Sequence, residues 1–340
     1  MIGGDRMTRL TQARIETLAR EALTRHGASE RQAEALAASI AAAERDGLKS
    51  HGLMYLPTYC EHLTCGKVLG LAEPRLTRPA PAVLAVDAGN GFAHAAIALG
   101  LPPLIEAARS QGVAALAIRN SYNCGALGYH TERIARAGLV GLGFTNAPAS
   151  IAPWGGRKAA VGTNPWSLAV PDGQGGARFV IDQSASVVAK SEVIKRARAG
   201  EPIPSGWAFD ARGETTTDAS EALKGTMAPA GGYKGVGSAL LVEIFAACLT
   251  GANPGLVASP FSGTAGGPPG TGQFFLAVSP EATSGGLFTS NLETVASAFV
   301  GDARLPGTRR FGAREHNTRD GIEVAAETLA TLEKLAGIAA

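Results

Sequence analysis

Apolar residues recur along the first part of the chain with the spacing of amphipathic helices. In TQARIETLAREALTRH (11–26), Ile15, Leu18, Ala22 and Leu23 share one face, and Gly27 follows as a C-cap signal. Ser29 and Gln32 have the spacing of a capping box that opens a second helix running to Gly47. A third, short helix is predicted over Leu53–Leu63. Between Gly66 and Pro81 the chain turns rich in Pro and Gly, and a domain boundary is expected there.

Beyond it, apolar β-branched runs alternate with helical patterns. Strands are predicted at 82–87, 113–119, 139–145, 166–170, 178–182 and 273–278, and helices at 92–111 and 127–137. A long apolar helix, 235–250, follows the glycine cluster GGYKGVG (231–237). Apolar helical patterns near 290–300 and 321–336 flank a basic stretch, RLPGTRRFGAR (304–314). Strands alternating with helices argue for an α/β sheet covered by helices. No internal repeat or low-complexity tail is evident.

Composition narrows the class. The 340 residues carry 45% hydrophobic and 18% charged side chains with a net charge of +2, which is ordinary for a globular protein. The 31 Lys and Arg are spread among 29 Asp and Glu, with no basic run interleaved with aromatics, so a nucleic-acid groove is not supported. The charged N-terminal segment reads neither as a signal peptide nor as a membrane span, and four cysteines are too few for a disulfide scaffold; both point to the cytoplasm. Cys60, His62 and Cys65 lack the second ligand pair of a structural zinc site, and no His-x3-His pair occurs, so no metal is expected.

Gly (44) and Pro (19) exceed the average combined usage of ~12% and gather between apolar runs. The dinucleotide fingerprint G-x-G-x-x-G is nevertheless absent; the nearest match, from Gly89 to His94, lacks its third glycine. Glycine-rich segments instead stand at expected strand ends: NSYNCGALGY (120–129), PWGGRKAAVGTNP (153–165) and GGYKGVG (231–237). Such loops can approach a ligand closely, and they can equally be tight turns. In Asp46-Gly-Leu-Lys-Ser50-His51-Gly52, His51 sits beside a turn between helices, where an imidazole suits proton transfer near neutral pH. Taken alone it could also be a capping or surface histidine.

The motifs D-x-x-x-S-H-G, N-S-x-x-x-G-A-x-G-Y, N-A-P-A-x-I-A-P-x-G-G, G-T-N-P, I-D-x-S-A-S, E-P-I-P-x-G-W-A-x-D, T-T-D and G-G-Y-K-G occur in this order. Together, over about residues 10 to 325, the chain resembles the malate/L-lactate dehydrogenase-like family of NAD(P)-dependent oxidoreductases, which is unrelated to the Rossmann-type enzymes of similar name. Within it, IDQSASVVAKSEV (181–193) and GGPPGTGQFF (266–275) are most similar to the (2R)-3-sulfolactate dehydrogenases. The resemblance implies a non-Rossmann NAD(P)-binding α/β sheet flanked by helices (78–284). It also implies a helical, dimerising domain built from both chain ends (1–77 and 285–340), and a homodimer.

It implies residue roles as well. His51 matches the family's proton donor and Ser50 its hydroxyl partner. Ser121, Asn123, Cys124, Gly125, Ala126 and Leu127 match a cofactor-binding loop. Further cofactor contacts are Thr163, Asn164, Ile181, Asp182, Gln183, Lys234 and the stretch Leu305, Pro306, Gly307, Arg309 and Arg310. Two departures stand out. Where some members carry a carboxylate-binding Arg, this chain has Tyr55, which cannot form the bidentate charged fork. An anionic substrate must then lean on Lys49, Arg45 or Arg309. Glu192 occupies a position that is an acidic relay partner in one imine-reducing branch and Lys in many other members; it either orients Ser50 and His51 or is a surface carboxylate.

The implied reaction is hydride transfer between NAD or NADP and a small 2-hydroxy or 2-oxo acid of the sulfolactate or malate/lactate kind, with His51 managing the proton. Asp182 or Glu192 would hold the imidazole's tautomer, and a carboxylate beside it should raise its pKa. Two rivals remain: reduction of cyclic imines such as pyrroline- or piperideine-2-carboxylate, and a catalytically silent cofactor-binding protein. The intact S-H-G, GTNP and GGYKG motifs weigh against the silent one.

Overall fold

The computed structural model describes residues 7–338. The chain opens with strand β1 (Met7–Leu10) and helices α1 (Gln12–Arg25) and α2 (Glu30–Arg45). Thr11 and Ser29 accept from the N–H groups of Arg14 and Gln32, satisfying donors that the first turns leave free. Only half of the expected capping box forms. The Gln32 side chain does not turn back to Ser29; it reaches Ala72 and Phe92 instead, stapling α2 to the start of the sheet region. Two short 3-10 turns, Lys49–His51 and Leu53–Tyr55, lead into α3 (Leu56–Thr64).

The middle of the chain supplies β2 (Arg75–Ala80), β3 (Val83–Asp87), α4 (Ala93–Gln111), β4 (Val113–Ser121), α5 (Leu127–Arg136), β5 (Val140–Thr145), β6 (Trp166–Pro171) and β7 (Ala177–Gln183). Then follow α6 (Lys190–Ala199), β8 (Ala208–Phe209), α7 (Ala219–Ala222), β9 (Thr226–Met227) and α8 (Tyr233–Glu243), which continues through Cys248 as a π-helical turn. After β10 (Thr271–Val278) come α9 (Pro280–Ser284), α10 (Phe288–Ala296), α11 (Thr308–Asp320), β11 (Ile322–Ala325) and α12 (Ala326–Ala336).

Seven strands form the central sheet in the order β2-β3-β4-β10-β5-β6-β7. Only β3 and β4 run parallel; every other pairing is antiparallel. Late strand β10 therefore lies in the middle, and its Phe275, fully buried, anchors the core between the sheet and the α4–α5 layer. Helix α4 packs very close to β4, because a Cβ at Gly100 would stand 2.6 Å from Leu116. The other face is covered by α8 and its π turn, through Phe245, Val242 and Ala246 against Phe144 and Phe274. A side lobe around Ile151, Val193 and Ile203 carries α6 and α7.

Both chain ends share one apolar core: β1 pairs with β11, and Ile322, Val324 and Leu332 pack with Ile15, Leu36 and Tyr59. Five short strands, β1, β2, β8, β9 and β11, lie outside the expected pattern. β2 lies in the Pro/Gly stretch and is fully exposed, so it carries no apolar alternation; β1 and β11 exist by pairing with each other. The helix expected over 321–336 accordingly begins only at Ala326, and the basic stretch 304–314 contains the start of α11.

Candidate active site

The loops at one end of the sheet enclose a cavity of about 1160 Å³, beyond the ~300–1,000 Å³ of common small-molecule pockets. A smaller cavity of about 210 Å³ adjoins it. His51, Gly125, Thr163, Pro165 and Ser191 line both, so they mark the junction.

The Asp46–Gly52 segment is positioned from below. Glu44, buried at the end of α2, accepts the Leu53 N–H at 2.7 Å. A Cβ at Gly52 would fall 2.2 Å from the same carboxylate oxygen, which is why the residue after His51 is Gly. Burial raises the Glu44 pKa, while the Leu53 N–H and Lys49 lower it. Ser50 Oγ lies 3.0 Å from His51 Nδ1, which leaves Nε2 for a reactant. Although the His51 and Asp182 side chains open onto the cavity, its walls surround them. Burial pushes the His51 pKa below the ordinary imidazole value, with Asp182 opposing; the expected rise is outweighed. Burial raises Asp182, opposed by the Gly128 N–H, His51 and Arg310.

Three helix N-termini face the large cavity: Ala126–Leu127 of α5, Ala189–Ser191 of α6 and Gly307–Arg310 of α11. Free N–H groups at such ends favour anions, although at α5 the Gly128 N–H is already held by the Asp182 carboxylate. Arg304, Arg309 and Lys190 add positive charge to the lining. Burial lowers the Lys190 pKa. Size and donors fit a dinucleotide, whose phosphates the ends of α6 and α11 would hold without a fingerprint turn.

The loop residues Asn123, Cys124, Gly125, Ala126 and Leu127, together with Thr163, Asp182, Gln183, Leu305, Pro306, Gly307, Arg309 and Arg310, all line one cavity or both. Asn123 also accepts from Tyr59 and from the Gly125 N–H, and burial pushes the Cys124 thiol up to about 12, leaving it inert. Others are drawn elsewhere. Ser121 hydrogen-bonds Gln273 and Thr271 inside the sheet. Asn164 braces Ala147, Ala239 and Glu243. Ile181 gives its carbonyl to Ser167. Lys234 lies exposed at the start of α8 and lines neither cavity.

The expected substrate cations are not assembled. Arg45 is tied to Asp46 at 2.8 Å, Lys49 lines neither cavity, and Arg309 lines only the large one. Arg310 is committed to Asp46 and Glu132, and Arg314 bridges the same two carboxylates, locking α2, α5 and α11 together. This network brings the Asp46 pKa down to about 2 against its burial. Glu192 points to Arg196 on its own helix, 3.5 Å away, and contacts neither Ser50 nor His51. Tyr55 does line the small cavity, donating to the Phe261 carbonyl at 3.0 Å.

Sequence reasoning missed Ser191, Lys190, Arg304, Tyr59 and Phe261. The basic run 304–314 was the available signal for Arg304; nothing local marks the others. The Cys60–Cys65 cluster is scattered in space: Cys60 is buried, Cys65 exposed, and His62 is bonded to Tyr122 and the Gly263 carbonyl. Among the described residues, no three His, Cys, Asp or Glu side chains gather as a metal site. In the same residues, no helix is long and apolar enough to cross a membrane.

A large dinucleotide-sized cavity meeting a small one at a Ser–His pair, on this mixed sheet, defines an NAD(P)-dependent oxidoreductase. Residues 10–333 match the malate/L-lactate dehydrogenase family, and the chain belongs to it. It is 44% identical, over 91% of its length and 92% of the relative, to a (2R)-3-sulfolactate dehydrogenase (NADP(+)) of Chromohalobacter salexigens. It is 41% identical to a Delta(1)-pyrroline-2-carboxylate/Delta(1)-piperideine-2-carboxylate reductase of Pseudomonas aeruginosa, over 94% of this chain and 96% of that one. Among solved structures, the delta1-piperideine-2-carboxylate reductase of Pseudomonas syringae pvar. tomato superposes with a TM-score of 0.91 at 35% identity, covering 96% of this chain and 99% of that one.

Proposed function

We propose that this enzyme moves a hydride between NADP(H) and a small 2-oxo or 2-hydroxy acid, such as the sulfopyruvate–sulfolactate pair or a malate- or lactate-like acid, with His51 as the proton donor and acceptor. The carrying observation is the position of the Ser50-bonded imidazole where the two cavities meet. When bound, the nicotinamide supplies or accepts the hydride. In reduction, protonated His51 donates to the substrate oxygen; in oxidation, neutral His51 takes the hydroxyl proton. Ser50 holds Nδ1, and Asp182 stabilises the cation electrostatically. Arg304, Arg309 and Lys190 support NADP over NAD, since an added phosphate gains from cations.

A second reading, reduction of a cyclic imino acid, is favoured by the lining of the small cavity, where among the described residues His51 is the only ionisable nitrogen. A protonated imine balances its own carboxylate, whereas sulfopyruvate brings two uncompensated negative charges. Initial rates with sulfopyruvate, oxaloacetate, pyruvate and both cyclic imines, each with NADH and NADPH, test the reading. Turnover of imines alone would replace the 2-oxo acid assignment, and no turnover with any would overturn both.

We also propose a homodimer, formed through the apolar outer surface of α8 and the segment after it. Leu240, Leu241, Ile244, Leu249, Leu256 and Val257 are each about half exposed or more. A division into 1–77 with 285–340, and 78–284, is supported by the shared core of the chain ends. A cytoplasmic location is supported by the four free cysteines.

A further inference from the structure

Lys67 is fully buried, yet neither partner of its ammonium is a carboxylate. Nζ donates to the carbonyls of Pro260, at 2.5 Å, and Gly263, at 3.1 Å. His62 Nε2 donates to the same Gly263 oxygen at 3.0 Å, and Tyr55 holds the carbonyl of Phe261 between them. Three side chains from α3 and its flanks thus grip one short exposed segment. Burial lowers the Lys67 pKa, Cys65 and Glu61 oppose this only through space, and the ammonium's direct partners are the two carbonyls, an arrangement that calls for a reason beyond holding a loop.

The segment's position supplies one. Phe261 lines the small cavity and packs against Tyr122 with the rings tilted at 58° and their centroids 5.2 Å apart. In a planar trans peptide the carbonyl and the next N–H point in opposite directions. With the Pro260 carbonyl drawn to Lys67, the Phe261 N–H is turned to the other side, and among the described residues it has no hydrogen-bond partner. The peptide dipole therefore presents its positive end away from Lys67, with the ammonium behind it.

We propose that the substrate's anionic group is received against the Pro260–Gly263 segment, with Lys67 buried behind it supplying the positive charge that a carboxylate-binding Arg at position 55 would otherwise provide. This rests on the small cavity being the substrate site. It makes Lys67 a positioning and specificity residue, acting through the peptide it polarises rather than by touching substrate.

The probes are 2-furoate and its uncharged analogue 2-furamide, titrated by calorimetry into the NADP+-loaded enzyme. In Lys67→Met, furoate affinity should fall by about tenfold, the scale of one charge-assisted hydrogen bond, while furamide and NADP+ affinities hold. Lys67→Gln, which keeps a donor for the carbonyls and removes the charge, should give the same pattern if the Met variant does not fold. Undiminished furoate binding, or equal loss of both probes, would overturn the proposal. Failure of the wild-type enzyme to bind furoate would instead overturn the reading of the small cavity as the substrate site.

Discussion

Asp182, at the end of β7, accepts the Gly128 N–H at the start of α5 through Oδ2 at 2.7 Å. One carboxylate thus satisfies a free helix donor and sets the field felt by His51. A helix end at the large cavity and the electrostatics of His51 thus share one carboxylate.

Replacing it by Asn preserves the hydrogen-bond acceptor and removes the charge. Asp182→Asn should fold normally and lose at least about tenfold in kcat for reduction, because the imidazolium loses its electrostatic support. Thermal unfolding and initial rates check this; an unchanged kcat would leave Asp182 only its helix role.

The pH dependence follows from the lowered His51 pKa. Reduction needs the protonated ring, so kcat should be highest at acid pH and fall as pH rises through a value below the usual ~6.5. Oxidation should show the reverse limb at the same position. His51→Ala should abolish both limbs and cut kcat by about 10²-fold or more, with NADPH fluorescence titration little changed.

Gly52→Ala places a methyl against the Glu44 carboxylate. The clash should cost about 1–3 kcal/mol of stability and displace the Ser50–His51 turn. A lower Tm with a disproportionate fall in kcat is the expected result, read by scanning calorimetry and steady-state rates.

Arg314 bridges Asp46 and Glu132, both of whose pKa values are lowered. Their contribution to stability is therefore present above the unfolded carboxylate values and is lost as pH falls through the folded ones. Because Arg310 still bonds both carboxylates, Arg314→Met should destabilise by about 1–3 kcal/mol near neutral pH, and the difference from wild type should shrink toward about pH 2. Urea titrations at several pH values measure it.

Arg304 and Arg309 line the dinucleotide-sized cavity. Changing both to Gln should weaken NADPH by about tenfold or more and NADH much less, by fluorescence titration. Equal weakening would place neither Arg at the distinguishing phosphate.

The chain's local patterns determined a good deal. Helical periodicity marked α1, α2, α4 and α5, the apolar runs marked six strands of the central sheet, and two of the glycine-rich segments, 120–129 and 153–165, supplied cavity lining while 231–237 did not, since each signal lies within a few neighbouring residues. Strand order lay outside that reach. β10 sits between β4 and β5 because of pairings across more than a hundred residues, and the exposed β2 carries no apolar signature. The same divide runs through the site. The motifs pointed to Ser50, His51 and Asp182, which the fold brings to the cavities, but which cation is free to serve there was not legible. Arg45, Arg310 and Glu192 were claimed by Asp46, Glu132 and Arg196, and Lys67 was buried beneath a distant loop. A charged side chain's role is set by the partner that compensates it, and only the tertiary fold supplies that partner.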